Sequence, residues 1–337
     1  MLRRKPGFRI GRMRAIVVRA YGGPEVLSWE ECREPSPGVG ELLICVKAAG
    51  VNPIDVSVRS GAAHAAPLPF IPGCDGAGLV EEVGESVRRF RPGDRVYFSL
   101  WSKTGSYAER VVCRYEEAEP LPETLDFVSG AAVGVPCSTA YRALFLRARA
   151  AAGDVVLIHG ASGSVGLAAV QLARAAGLTV IGTAGGDEGR KRILEEGAHH
   201  ALDHRSPEHF RRILDITQGR GVDLVLEMLA NANLGKDCDV TAVGGKVVVI
   251  GSRGLVEIDP RGLISRDLAV LGMSLLSASP RERQIIAAGV AAHLRKGLLR
   301  PVIRCLLPMS SAAQAQRLVM EPGASGKIVL VPPASLA

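Results

Sequence analysis

The sequence predicts an α/β chain of two domains, one mostly β and one built on a doubly wound parallel six-stranded sheet. Three observations predict it. Residues 13–134 are short β-like runs broken by glycine, proline and acidic turns. From Pro136 to about residue 274, apolar strands alternate with helix-period stretches. That alternation opens with a strand, a glycine-rich loop and a helix in direct succession, "VVLIHGASGSVGLAAVQLARAAG".

The elements follow in chain order. "MLRRKPGFRIGR" carries Arg3, Arg4, Lys5, Arg9 and Arg12 with no acid. It has no continuous apolar stretch, and Pro6 with two glycines spoils an amphipathic helix, so residues 1–12 read as a flexible basic leader. "RAIVVRA", "ELLICVKAAG", "GLVEEVG", "DRVYFSL" and "YAERVVC" are the strands of the first domain. Pro24, Pro35, Pro37, Pro53, Pro67, Pro69, Pro72 and Pro92 argue against long helices there. In residues 135–274 the strands are "DVVLIHG", "LTVIGTA", "HHALDH", "VDLVLEML", "GKVVVIG" and "LAVLGMSL". Runs this rich in Val, Ile and Leu suit strands covered on both faces. In the first helix Val165, Ala169, Leu172, Ala173 and Ala176 share a face and Gly177 stops it. Residues 275–337, with "HLRKGLLRPVIRCLLP" and "GKIVLVPP", return to the β- and proline-rich style and are expected to rejoin the first domain.

Composition narrows the function classes. At 337 residues, 47% hydrophobic and 22% charged, the chain has globular rather than disordered composition. No apolar run approaches the roughly 20 residues of a membrane helix, so no membrane partner is expected. The leader accounts for most of the +7 formal charge, and the body is nearly neutral. With few aromatics and no RNP-type run, nothing in the residues points to nucleic acid. The seven cysteines are scattered without a C-x-x-C pair, and read as reduced thiols of a cytoplasmic protein.

Gly160, Gly163 and Gly166 stand at G-x-x-G-x-x-G spacing between a buried strand and a helix. A dinucleotide needs that arrangement: a tight turn, then bare backbone that lets the pyrophosphate reach the helix N-terminus. Close helix–sheet packing is the competing role for Gly166. An NAD site usually ends its second strand on Asp or Glu. Here "LTVIGTA" ends at Ala184, followed by Gly185 and Gly186, and Arg190, Lys191, Arg192, His204 and Arg205 come soon after. A 2′-phosphate would meet cations there and no repulsion, although part of that run balances Glu195 and Glu196. NADPH is the expected cofactor.

These residues, with "AAGVNPID" (48–55), "PGCDGAG" (72–78), "EMLAN" (227–231), "GSRG" (251–254) and "ASGK" (324–327), resemble the zinc-free branch of the medium-chain dehydrogenase/reductase superfamily. Within it the chain is similar to the zeta-crystallin type of NADPH:quinone oxidoreductases. The resemblance covers nearly everything after Met13. It implies a GroES-like catalytic domain and a Rossmann domain, with Asn52 and Thr139 flanking the nicotinamide. It implies that Ser162, Gly163, Ser164, Val165 and Gly166 cradle the pyrophosphate and that Gly185, Lys191 and His204 lie near the adenosine. Asn233, Ile250, Gly251, Ser252 and Arg253 would line the remaining groove. Asn52 before Pro53 could equally be a turn residue.

Zinc-bearing relatives place ligands where this chain has Asn52, Cys74 and Val135. One possible ligand of three does not make a catalytic zinc site, so no metal is expected. Without a Lewis acid the chemistry suits a ready electron acceptor, a quinone, with ortho-quinones favoured and one-electron steps possible. Reduction of 2-alkenals or enones is the alternative, with Tyr141 as the one tyrosine placed near the cleft. Where relatives carry cleft tyrosines, "VSVRSGAAHAAP" has none. The resemblance further implies a homo-oligomer, a tetramer more than a dimer, and leaves open messenger-RNA binding or a lens-type structural role.

Overall fold

The computed structural model describes residues 11–63, 66–101, 105–323 and 325–333. Most of the basic leader lies outside them. Arg12, its last residue, already pairs with Arg33 and reaches Glu31 at 3.1 Å. The described chain divides into two compact units. The first holds the described residues of Met1–Leu121, Leu306–Val319 and Val329–Ala337, the second those of Pro122–Cys305 and Met320–Ile328. Among the described residues no helix is long and apolar enough to cross a membrane.

In the first unit, β1 (Arg12–Val18) and β2 (Leu27–Arg33) form an antiparallel ribbon. β3 (Glu41–Gly50), β4 (Asp75–Val83), β5 (Arg95–Ser99), β6 (Arg110–Arg114) and β7 (Ala118–Pro120) build the antiparallel sheet, β6 pairing with β3. The apolar run "ELLICVKAAG" has its cause here, since Leu42, Leu43, Ile44, Val46, Ala48 and Ala49 are all buried. Pairing of Gly50 with Asp75 sets the register, which brings Asn52, just past the end of β3, beside the start of β4.

In the second unit, β8 (Val155–Ile158), β9 (Thr179–Ala184), β10 (His200–Asp203), β11 (Val222–Glu227), β12 (Thr241–Val249) and β13 (Ala269–Gly272) form one parallel sheet in the order β10-β9-β8-β11-β12-β13. That is the six-stranded, doubly wound sheet expected from the sequence. Leu157, Ile181, Val225 and Val247 on the strands and Ile213 and Leu234 on the helices form its core.

The stretch after residue 274, expected to rejoin the first domain, is divided between the units. The helix Pro280–Arg295 belongs to the second, with Ser279 capping it onto Glu282 N–H at 3.2 Å. The buried Arg142 guanidinium holds Glu282 at 3.2 Å, and Gly289 packs so closely on the Tyr141 ring that a methyl would overlap it. These contacts join segments some 140 positions apart, which the local style of the sequence does not register. β14 (Ile303–Pro308) and β15 (Lys327–Val331) complete the seven-stranded sheet.

Candidate functional site

All strands of the second sheet run parallel, so the segments that follow them leave from one edge. The order reverses at β8, and sheets of this kind take ligands at the carboxyl ends of the strands at that point. β8 delivers the chain to His159 and the glycine loop. Gly160 turns with φ +57°, and the helix Ser164–Ala175 starts from Gly163 with no side chain capping it. Its first N–H groups and its dipole are therefore available to an anion. The three glycines divide the work. A Cβ at Gly166 would stand 2.5 Å from Ala161 Cα and 2.6 Å from the Gly160 oxygen, so Gly166 serves packing. A Cβ at Gly163 would find only the Gly160 oxygen, at 3.4 Å, and the rest of its surroundings are open. The loop fits a pyrophosphate on that open side.

Ser162 is buried, and its main-chain oxygen accepts from Gly326 N–H at 3.0 Å, while Ser164 and Val165 are half-buried in the first helical turn. Gly326 thus lies against the loop. Gly326 has φ +83°, and Lys327, one of the largest fully buried side chains, follows it. Sequence reasoning had no site role for this lysine, because a single Lys near a chain end carries no pattern.

At the end of β9 the buried Ala184 gives way to Gly185 and Gly186. Gly186 has nothing within 4 Å of a Cβ, and at Gly185 a Cβ would stand 2.8 Å from Nε2 of the exposed His204. The expectation of cations without repulsion needs correction. Asp203 lies here, bonded to Arg205 at 2.9 and 3.2 Å and paired with Arg190 at 2.9 Å, and Arg190 also meets Asp187. Hydrogen bonds from Arg205 hold the Asp203 carboxyl well below the usual carboxylate range. Arg192 faces Glu195 and Glu196. Lys191 keeps its side chain 79% exposed, with Glu195 at 3.9 Å, and is the least committed cation of the group. The i,i+3 spacing of Asp187 and Arg190 was the signal in the sequence.

On the other side of β8 the segments after β11 and β12 are tied together. Asn231 Oδ1 accepts from Arg253 N–H at 2.8 Å and from Ser252 Oγ at 3.4 Å. Ala230 N–H donates to Gly251 O at 2.9 Å, and Ile250 N–H to Glu227 O at 2.8 Å. Asn233 Nδ2 donates to Glu227 Oε1 at 3.4 Å. Ile250, Gly251, Ser252, Arg253 and Asn233 are therefore held as one rim.

Asn52 belongs to the first unit and is 2% exposed. Its Nδ2 donates to Asp75 Oδ2 at 2.9 Å, Ser99 Oγ donates to Asp75 Oδ1 at 3.2 Å, and Asp55 Oδ2 accepts from Asn52 N–H at 2.8 Å and Tyr107 O–H at 2.9 Å. A carboxylate only accepts, so Asp75 fixes which way the Asn52 amide faces. Burial and the Asp55 charge push the Tyr107 phenol up. Also in this unit, the Tyr21 ring packs on Gly61 and its O–H donates to Ala66 O at 2.7 Å. In the second unit Thr139 is buried on the helix Gly134–Tyr141. Tyr141 is wedged between Gly289 and the Phe145 ring, 4.8 Å away. Among the described residues, the one cluster at metal-ligand spacing is His159, Glu227 and Asp237. Asn52, Cys74 and Val135 are not in it.

Known proteins share this architecture. The family of zinc-binding dehydrogenases matches residues 164–290, and the alcohol dehydrogenase GroES-like domain matches residues 38–123. A quinone oxidoreductase of Rattus norvegicus is 45% identical over 322 residues, 95% of this chain and 98% of its own length. One of Homo sapiens is 44% identical over 322 residues, with the same coverage. The chain belongs to the quinone oxidoreductase family of medium-chain dehydrogenase/reductases. As a member of that family it is an oxidoreductase with a GroES-like and a Rossmann-type half. A mycobacterial protein whose structure was solved with NADPH matches at a TM-score of 0.87 and 30% identity, covering 95% of this chain and 100% of that one.

The unequal glycines give a paired test. Gly163→Val is expected to keep a melting temperature near the parent's and lose NADPH binding in a fluorescence titration. Gly166→Val is expected to lower the melting temperature itself, by an overpacking cost of about 1–3 kcal/mol or more. Equal melting losses in both variants would contradict this assignment.

Proposed function

We propose that the chain is an NADPH-dependent quinone reductase that works without zinc. The observation that carries the reading is an open phosphate cradle at Gly163 in a chain whose metal positions hold Asn52 and Val135. NADPH supplies the hydride. The chain's own part is to hold the pyrophosphate on the N–H groups that follow Gly163 and to present a fixed amide at Asn52. A quinone takes up electrons without Lewis-acid help, so alignment suffices. The names of the rat and human relatives and the NADPH complex of the mycobacterial relative support acceptor and cofactor alike.

Cofactor choice rests on Ala184 and Lys191. No carboxylate ends β9, the nearby Asp203 is already neutralised by Arg190 and Arg205, and Lys191 remains for a 2′-phosphate. NADPH is expected to bind well ahead of NADH. Lys191→Ala should weaken NADPH about 2- to 5-fold, the worth of an ion pair near water, and leave NADH nearly unchanged. Calorimetric titration of both nucleotides decides it, and equal affinities in the parent refute the proposal.

The packing of Tyr141 against Gly289 leaves it poorly placed as a proton donor, which favours quinones over enones. Steady-state NADPH oxidation should be fast with ortho-quinones and slow with 2-alkenals and enones, and oxygen uptake beyond the hydroquinone formed would mark one-electron steps. The purified chain should carry no stoichiometric zinc by elemental analysis. Fast enone reduction with no quinone turnover hands the assignment to the alkene reductases.

We further read the chain as a homo-oligomer, a tetramer rather than a dimer. β13 is an edge strand of its sheet with Val270 36% exposed, and Ile264 is 76% exposed on the helix Pro260–Ser265 before it. Edges of this kind are normally covered. Light scattering should give a multiple of the 35.5 kDa chain, and Val270→Lys should lower it. A monomer at micromolar concentration rules this out.

A further inference from the structure

Next to the glycine loop lies a set of titratable side chains for which the cofactor reading has no use. His159, the residue before Gly160, is 2% exposed, and Glu227 and Asp237 are fully buried. His159 Nε2 lies 2.8 Å from Asp237 Oδ1 and 3.7 Å from Glu227 Oε2. Glu227 Oε2 and Asp237 Oδ2 have no hydrogen-bond partner.

Proton counting identifies what is missing. Thr183 Oγ1 accepts from Gly160 N–H at 3.3 Å, and the proton of this buried hydroxyl has His159 Nδ1, also 3.3 Å away, to bond to. A neutral imidazole then carries its hydrogen on Nε2 and donates it to Asp237 Oδ1. That leaves Glu227 Oε2 and Asp237 Oδ2 without a donor in two buried carboxyls that offer ligand atoms within 4.8 Å of each other, where ionising both at once is costly. One proton between Glu227 Oε2 and Asp237 Oδ2 satisfies both. A metal suits the spacing less well. Two tetrahedral ligands of zinc stand about 3.4 Å apart, given bonds of roughly 2.1 Å, and His159 and Asp237 are closer than that.

The same groups hold three segments of the cofactor rim. Glu227 Oε1 accepts from Leu229 N–H and Asn233 Nδ2, its main-chain oxygen accepts from Ile250 and Gly251 N–H, and His159 reaches Gly160 through Thr183. We propose that one proton shared by Glu227 and Asp237 is a structural part of the dinucleotide site, and that losing it loosens the rim and weakens cofactor binding. Glu227, Asp237 and His159 are positioning residues in this scheme, and the inference rests on the reading that this crevice binds NADPH.

The sign follows from burial. Burial pushes both carboxyls up, to about 7, and pushes His159 down. The protonated pair is therefore favoured in the fold at low pH, and its contribution is lost as pH rises through that value. The other groups around the cluster do not compete in this window. His204 and His209 are held below their ordinary value by burial, Asp203 is held down by Arg205, and Cys238, flanked by Asp239 and Arg266, is pushed up by burial. Lys236 lies over the Phe210 ring at 5.5 Å.

The test is NADPH affinity of the full chain from pH 6 to 9 by fluorescence titration. The dissociation constant should be flat at the acid end and rise above neutrality, approaching about tenfold per pH unit for loss of one proton. In Glu227→Gln, whose amide can donate to Asp237 and cannot ionise, the rise should vanish. Should that variant not fold, infrared spectra of the parent decide: a protonated carboxyl band at pH 6.5, lost by pH 9, is expected. A flat profile in a parent that binds NADPH, or the absence of that band, overturns the shared proton alone. Failure to bind NADPH at any pH removes the cofactor reading and this inference with it. Uptake of one zinc per chain, abolished by Glu227→Gln, would replace the proton with a metal.

Discussion

The second unit depends on one close approach, the first turn of the helix Ser164–Ala175 against the backbone of Gly160 and Ala161. Only a residue without a Cβ can sit at Gly166, because a methyl there would meet backbone atoms that cannot yield. The approach brings the uncapped helix end to the carboxyl edge of β8, where its N–H groups and dipole favour an anion. The neighbouring elements are fitted around it. Thr183 of β9 takes the Gly160 N–H, Ser162 takes the Gly326 N–H, and Gly326 in turn lies against Val302.

Burial of polar groups sets a second constraint, and both units meet it with chains of named partners. An unsatisfied buried donor or acceptor costs about 1–3 kcal/mol. In the first unit Asp75 and Asp55 collect donors from Asn52, Ser99 and Tyr107. In the second, His159, Asp237 and Glu227 do the same, except that the last two need a proton between them. These networks orient side chains more than they add stability, because hydrogen bonds to water are given up to make them.

At the adenosine end the charges follow a different rule. Arg190, Arg205, Asp187 and Asp203 are near water, where an ion pair is worth about 0–1 kcal/mol. Such pairs can be exchanged cheaply for a better partner. A phosphate arriving near Lys191 would therefore compete with carboxylates that already hold the arginines. Affinity there is a difference between two sets of pairs and not the sum of the cations in the sequence.

The alternation of strands and helices, the glycine loop and the six strands of the sheet were legible in the residues, because hydrophobic period and turn chemistry are local properties. The resemblance of long ordered runs pointed to the same family that the relatives then identified. The separate duties of Gly163 and Gly166 were not legible, since spacing is blind to which glycine has a neighbour at 2.5 Å. Nor was the attachment of Pro280–Arg295 to the second unit, which depends on Arg142 and Tyr141 far back in the chain. The carboxylate beside Arg190 and Arg205 was not legible either, because Asp203 belongs to the next strand and only parallel pairing with β9 brings it there. His159 meets Asp237 across 78 positions. Long-range polar pairing leaves no periodic trace, because it depends on where the folded backbone excludes water.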